Sequence, residues 1–212
     1  MSESIAGITI PDSQVAAEAT DLIRETTPPL IFNHSRRVFL FGSLQARALG
    51  ITPDPELLYV SALFHDTGLV PPYRSDDQRF ELDSAGQARA FLIGHGFPEA
   101  ATQTVWTAIA LHTTPEVPYK MAPEIAATTA GVETDVLGLR LDNLTPAEIA
   151  AVTAAHPRPD FKRQILGAFN DGFKDRPDTT FGTVNSDVLE HFDGSYRHID
   201  FVDVILNSAW PE

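Results

Sequence analysis

Apolar residues recur at three- and four-residue intervals along most of the chain, the period of a helix with one face turned inward. Leu58, Ala62, His65 and Leu69 form one such stripe, and Val105, Ile109 and His112 another. The pattern predicts helices over residues 12–26, 31–50, 55–68, 84–95, 98–113, 123–139, 146–155, 160–173 and 199–209. Proline stands near the start of several, where its missing N–H forfeits no helical hydrogen bond. Residues 70–83, with Pro71-Pro72 and the run Ser75-Asp76-Asp77, read as a loop. Residues 172–183 are the best candidate for a mobile one. No period-2 alternation suggests a sheet, and no linker divides the chain. The expectation is an all-α protein: a single helical bundle over residues 31–212, with residues 1–30 as a helical extension packed on it.

Composition narrows the function classes. The 212 residues are 43% apolar and 21% charged, a globular balance. The net charge of -14 disfavours unspecific binding to nucleic acid or an anionic membrane, whose phosphates it repels. There is no cysteine, which removes disulfides, thiolate nucleophiles, iron–sulfur clusters and cysteine-based zinc sites. No stretch approaches the ~20 apolar residues of a membrane span, and the first residues lack a secretory pattern. A cytoplasmic protein with a small-molecule substrate is expected. The apolar C-terminal helix and Trp210 can pack on the core or on another subunit, so a homo-oligomer stays open.

One dipeptide carries chemistry. His65-Asp66 ends the apolar run Leu57-Leu58-Tyr59-Val60-Ser61-Ala62-Leu63-Phe64. A carboxylate there is costly to bury unless something answers its charge, and a bound cation would. Successive helical residues point about 100° apart, so both reach one ion only if it lies just beyond the helix end. Gly68 supplies such an end. Taken singly, each His or Asp is ordinarily a hydrogen-bonded core or capping residue. His34 opens the preceding helix, and Asp135 follows small residues, Ala127 and Gly131, that would let two backbones pack closely.

The order His34, His65-Asp66, Asp135 resembles the HD superfamily, whose metal is held by that pattern. Longer blocks are similar to its cyanamide hydratase branch: Asn33-His34-Ser35-Arg36-Arg37-Val38, Ala62-Leu63-Phe64-His65-Asp66-Thr67-Gly68, Arg79-Phe80-Glu81, Ala108-Ile109-Ala110-Leu111-His112-Thr113 and Gly131-Val132-Glu133-Thr134-Asp135-Val136-Leu137-Gly138. So is the ending, Asp200-Phe201-Val202-Asp203 with Ser208-Ala209-Trp210. The resemblance implies one divalent metal on His34, His65, Asp66 and Asp135, typically zinc, with Fe²⁺ and Mn²⁺ as alternatives. It also implies addition of water to a nitrile, as in cyanamide to urea.

A water acidified by the metal would attack the nitrile carbon, and a nearby group would deliver a proton. His112, on the inward stripe, is the first candidate for that acid/base. Glu81 and Thr134 are further catalytic candidates, and Phe80 and Thr113 candidates for contacting substrate. His95 and His112 lie where some HD proteins carry ligands of a second metal. Against that, Gly94-His95-Gly96 reads as a helix C-terminus, where a cationic imidazole meets the helix dipole. Two other readings remain. An HD phosphohydrolase would need cations for phosphate, for which Arg36, Arg37, Arg74, Arg79 and Lys120 are candidates. A non-enzymatic binding module would show a missing ligand, and none is missing. No GxxxxGK[ST] or GxGxxG loop is present.

Overall fold

Four helices begin on proline: α2 (Pro29–Leu49), α3 (Pro55–Phe64), α6 (Pro123–Val132) and α7 (Pro146–Ala155). In each, proline sits where a helix has an unused N–H, so these starts follow from covalent structure alone. The structure, a computed structural model, describes residues 3–210. The remaining helices are α1 (Gln14–Thr26), α4 (Phe80–Gly94), α5 (Glu99–Ala110), α8 (Phe161–Phe173), α9 (Asn185–Phe192) and α10 (Phe201–Leu206). The protein is all-α.

Three differences from the sequence reading have local causes. A small hairpin, β1 (Ser4–Ile5) with β2 (Ile8–Thr9), precedes α1. Its turn, Ala6-Gly7, has both φ values positive, at 51° and 72°, the two-residue geometry that matches strand twist. Helix α4 starts at Phe80, so Phe80 and Glu81 stand on a helix and not in the preceding loop. Helix α9 was not expected, because its eight residues carry too short a period to stand out and no side chain caps its start.

The larger hydrophobic cluster runs through α1 to α6, with Ile23, Phe39, Leu58, Phe64, Leu92 and Ile109 fully or almost fully buried. Ile8, Ile10, Ala16 and Ala19 of the N-terminal segment belong to it. A second cluster joins the start of α2 to α8 and α9 through Ile31, Leu69, Phe161, Ile165, Phe173 and Leu189. Helices α2 and α6 meet backbone to backbone. A Cβ on Gly131 would lie 2.2 Å from the Val38 carbonyl oxygen, and one on Gly42 2.6 Å from that of Ala127. That approach brings the end of α6 to the start of α2. Among the described residues no helix is long and apolar enough to cross a membrane.

Candidate metal centre

Helix α3 is buried from Leu58 to Phe64, and it ends on the dyad. His65 is its last cap, and at Asp66 the chain tightens into a 3₁₀ turn, Thr67–Leu69. The helix therefore stops short of the expected end at Gly68. Gly68 is required for a different reason: a Cβ there would lie 2.2 Å from the Phe80 carbonyl oxygen. Its N–H donates to Ser84 Oγ at 2.8 Å, which pins the turn to the first turns of α4.

Three imidazoles surround the Asp66 carboxylate. Each has its Nδ1 against an oxygen that can only accept: His34 against Asp135 Oδ2 at 2.7 Å, His65 against the Ala62 carbonyl at 2.8 Å, His112 against the Ile109 carbonyl at 2.6 Å. The proton of each neutral ring therefore sits on Nδ1, and Nε2 keeps its lone pair. The Nε2 atoms of His34 and His65 are 3.1 Å apart. They lie 3.5 and 3.3 Å from Asp66 Oδ2, and His112 Nε2 lies 3.6 Å from Asp66 Oδ1. All four side chains are almost completely buried.

Lone pairs thus face a carboxylate with no hydrogen between them. Both oxygens of Asp66 are buried without a hydrogen-bond partner. Such an arrangement is unfavourable unless positive charge is supplied. His34, His65 and Asp66 offer ligand atoms all within 4.8 Å of one another, a donor set suited to a divalent cation with a position left open. Burial raises the Asp66 pKa, and only positive charge on the side of His65, His112 and His34 outweighs it and brings the carboxyl well below the usual range. For His34 burial dominates and lowers the imidazole pKa against the pull of Asp135.

Asp135, expected as a fourth ligand, lies behind His34 and outside this set. Arg37 engages both its oxygens, Nε to Oδ1 and Nη2 to Oδ2, each at 2.8 Å. Arg158 adds Nε to Oδ1 at 3.0 Å, and both guanidiniums lie over the Phe161 ring. A carboxylate saturated by two arginines and one imidazole N–H has little capacity left for an ion. Burial would raise its pKa; the hydrogen bond from His34 and the Arg37 charge hold it far below the usual range.

The other candidates divide. Thr113 lines the cleft described below and donates to Glu81 Oε1 at 2.7 Å. Glu81 is fully buried behind it, also held by Arg79 Nη2 at 3.0 Å and Asn185 Nδ2 at 3.3 Å. Phe80 does not reach the cleft: its ring backs His112 at 5.6 Å and stacks towards Phe169 and Phe173. Thr134 turns away too, donating to the Leu139 carbonyl and accepting from Gln45, because the chain passes through a π-helical turn, Glu133–Leu137. His95 caps α4 and pairs with Glu18 at 2.8 Å, so it stands apart from the cluster.

A cleft of about 260 Å³ opens onto His34, His65, Asp66 and His112. Its other walls are Thr113 to Pro115, four residues around the π turn (Val132, Glu133, Val136, Leu137), Leu166 and Phe169 of α8, and Val184 and Val188. None of its lining residues is lysine or arginine. Four of the five basic side chains considered for phosphate are engaged elsewhere, and Lys120 is not in the lining. Arg36 pairs with Glu3, Arg37 with Asp135, Arg74 with the Asp171 carbonyl and Asp175, and Arg79 with Glu81. Sequence reasoning missed the walls from α8 and α9. The amphipathic spacing of Leu166 and Phe169 was visible, but nothing local says which helix it faces.

An all-α bundle that gathers imidazoles and a carboxylate at buried helix ends defines a candidate metal-dependent enzyme. The chain belongs to the HD-domain family: the family model, HD domain, matches residues 31–152, more than half of its length. HD domains are generally metal-dependent hydrolases. The match covers the whole His34, His65-Asp66, His112 and Asp135 constellation and ends before α8. No curated protein matches the chain.

Proposed function

We propose that this protein is a metal-dependent hydratase that adds water to a small, neutral, nitrile-like molecule. The observation that carries the reading is a cleft with lone pairs and a carboxylate at its base and no cationic side chain in its walls. A phosphate ester entering it would find no guanidinium or ammonium group in the walls to meet its charge.

His34, His65 and Asp66 are the residues that would hold the metal, with zinc the best match to this donor set. When bound, the metal supplies a Lewis acid and lowers the pKa of a water beside it. Asp135 fixes the ring of His34 by accepting its Nδ1 proton, and Arg37 and Arg158 fix Asp135. His112 presents Nε2 to the same space and serves as the group that takes a proton from water and returns it to the substrate nitrogen. Glu81, through Thr113, holds the strand of chain that carries His112. The apolar walls keep bulk water away.

Elemental analysis of purified protein tests the assignment: about one divalent metal per chain is expected, lost in His65→Ala. His112→Asn should keep the metal and lower kcat by roughly 10²–10⁴-fold, the span of general acid–base catalysis. Urea release from cyanamide or amide release from nitriles is the expected activity. Phosphate release from a nucleotide panel, with no nitrile hydrated, would replace the reading by phosphohydrolysis.

A further inference from the structure

The cleft is larger and more apolar than cyanamide requires. Cyanamide has three heavy atoms and is polar at both ends, whereas the cleft holds about 260 Å³, against roughly 30 Å³ for one water in the liquid. Past the cluster its walls are Val132, Val136, Leu166, Phe169, Val184 and Val188. Leu137, Leu166 and Val184 are 66, 38 and 49% exposed, so the apolar surface continues out to the mouth. These side chains come from three separate parts of the chain: the π turn, α8, and the start of α9. Exposed apolar surface that converges on one concave site, with the ligand-bearing polar groups gathered at its floor, marks a pocket for an apolar ligand body.

Part of the apolar wall lies beyond the family match. The groups at the floor lie within the matched residues 31–152, whereas Leu166, Phe169, Val184 and Val188 lie beyond them. The chemistry end lies within the HD-domain region, and the substituent end is built jointly by Val132, Val136 and Leu137 of that region and by the C-terminal helices.

We propose that the substrate is a nitrile bearing an uncharged alkyl or aryl group, hydrated to the corresponding primary amide. This rests on the hydratase reading above. In the reaction R–C≡N + H₂O → R–C(=O)–NH₂, the water oxygen forms the bond to carbon. The C–N π electrons pass to nitrogen, which ends with both of the water's protons. The hydrocarbon group lies against Val136, Leu166, Phe169 and Val188, and the nitrile is directed to the cluster. No cationic side chain in the walls meets an anionic substituent.

The test has one arm with turnover and one without. With metal-loaded protein, kcat/KM for benzonitrile and isobutyronitrile should exceed that for cyanamide at least tenfold, since each buried methylene is worth about that factor or more. With metal-free protein, ligand-observed NMR should detect binding of toluene. Leu166→Asp and Val184→Asp, at exposed positions that leave folding intact, should weaken it at least tenfold without changing metal content. Hydration of cyanamide with neither apolar nitrile turned over nor toluene bound would overturn this inference and leave the hydratase reading standing. Turnover of no nitrile, with phosphate released from nucleotides, would remove that reading and this inference with it.

Discussion

Two buried carboxylates a short way apart in sequence, Asp66 and Asp83, are treated in opposite ways. Both side chains are within a few per cent of complete burial. Asp83 is surrounded by donors: the Ser75 N–H at 3.0 Å, Gln78 Nε2 at 2.8 Å and the guanidinium of Arg176. Arg176 is itself used up, donating also to the carbonyls of Gly68, Ser75, Gln78 and Gly172. Asp66 has no donor at all. A buried charge with every lone pair answered is a structural device, a clamp that ties the segment after α8 to the turn below the dyad. A buried charge facing only lone pairs is one whose partner is not part of the chain.

The largest effect expected from this contrast separates two conservative substitutions. Asp83→Asn strands the Arg176 charge and should cost roughly 3–5 kcal/mol in urea unfolding of the metal-free protein. Asp66→Asn removes a charge that nothing in the chain answers, so it should cost the metal-free protein less than about 1 kcal/mol or stabilise it. Zinc should then close most of the gap between the two. At about a hundred times Kd it should stabilise wild type and Asp83→Asn by about 2.7 kcal/mol, and leave Asp66→Asn unchanged. Equal losses from both substitutions, or full zinc stabilisation of Asp66→Asn, would end the distinction.

Asp135 stands between the two cases and sharpens them. Arginines satisfy it as they do Asp83, yet it also holds the Nδ1 of a cluster imidazole. Asp135→Asn should therefore weaken metal binding without abolishing it, by roughly 10–100-fold, the usual span for a partner behind a ligating histidine. A competitive chelator titration measures this. Complete loss of metal, as large as for His65→Ala, would make Asp135 a direct ligand.

The fold was largely legible because its signals are local. The stripe at Leu58, Ala62 and His65, the prolines at Pro29, Pro55, Pro123 and Pro146, and Gly50 at φ 68° each act through their own few residues. The close approach of α2 and α6 could also be read from Ala127 and Gly131. The site was legible in part. His34, His65 and Asp66 come together, whereas the places of Asp135, Phe80 and Thr134 depend on distances that no periodicity encodes. Arg37 reaches Asp135 because it stands one turn along α2 from His34, and its guanidinium fork fits both carboxylate oxygens. The π turn at Glu133–Leu137 rotates Thr134 towards Gln45. Such a turn is one residue wider than a regular one, and the sequence carries no mark of it. The cleft walls are the least legible feature, since they unite side chains from opposite ends of the matched and unmatched chain.

The smallest effect extends the contrast from carboxylates to imidazoles. His156 is a buried histidine whose ring is answered on both sides: Arg36 Nε donates to its Nε2 at 3.3 Å, and its Nδ1–H points to Asn33 Oδ1 at 3.3 Å. Burial, with the charges of Arg36 and Arg37, pushes its pKa down to about 4 from an ordinary 6.5. Between these values the unfolded chain binds a proton that the folded one refuses, so stability contributed by this group is complete above pH ~6.5 and is lost as pH falls to about 4. The ceiling from such a shift is roughly 3 kcal/mol, and relaxation of a partly solvated ring reduces the expected loss to about 1 kcal/mol. Unfolding free energies of wild type and His156→Gln, compared from pH 7 to 4, isolate the contribution because the carboxylates titrate alike in both. The gap between them should narrow by that amount as pH falls, with metal content unchanged at pH 7. A constant gap would mean that His156 accepts its proton in place, and that an imidazole with both nitrogens answered is no more committed than one whose lone pair faces Asp66.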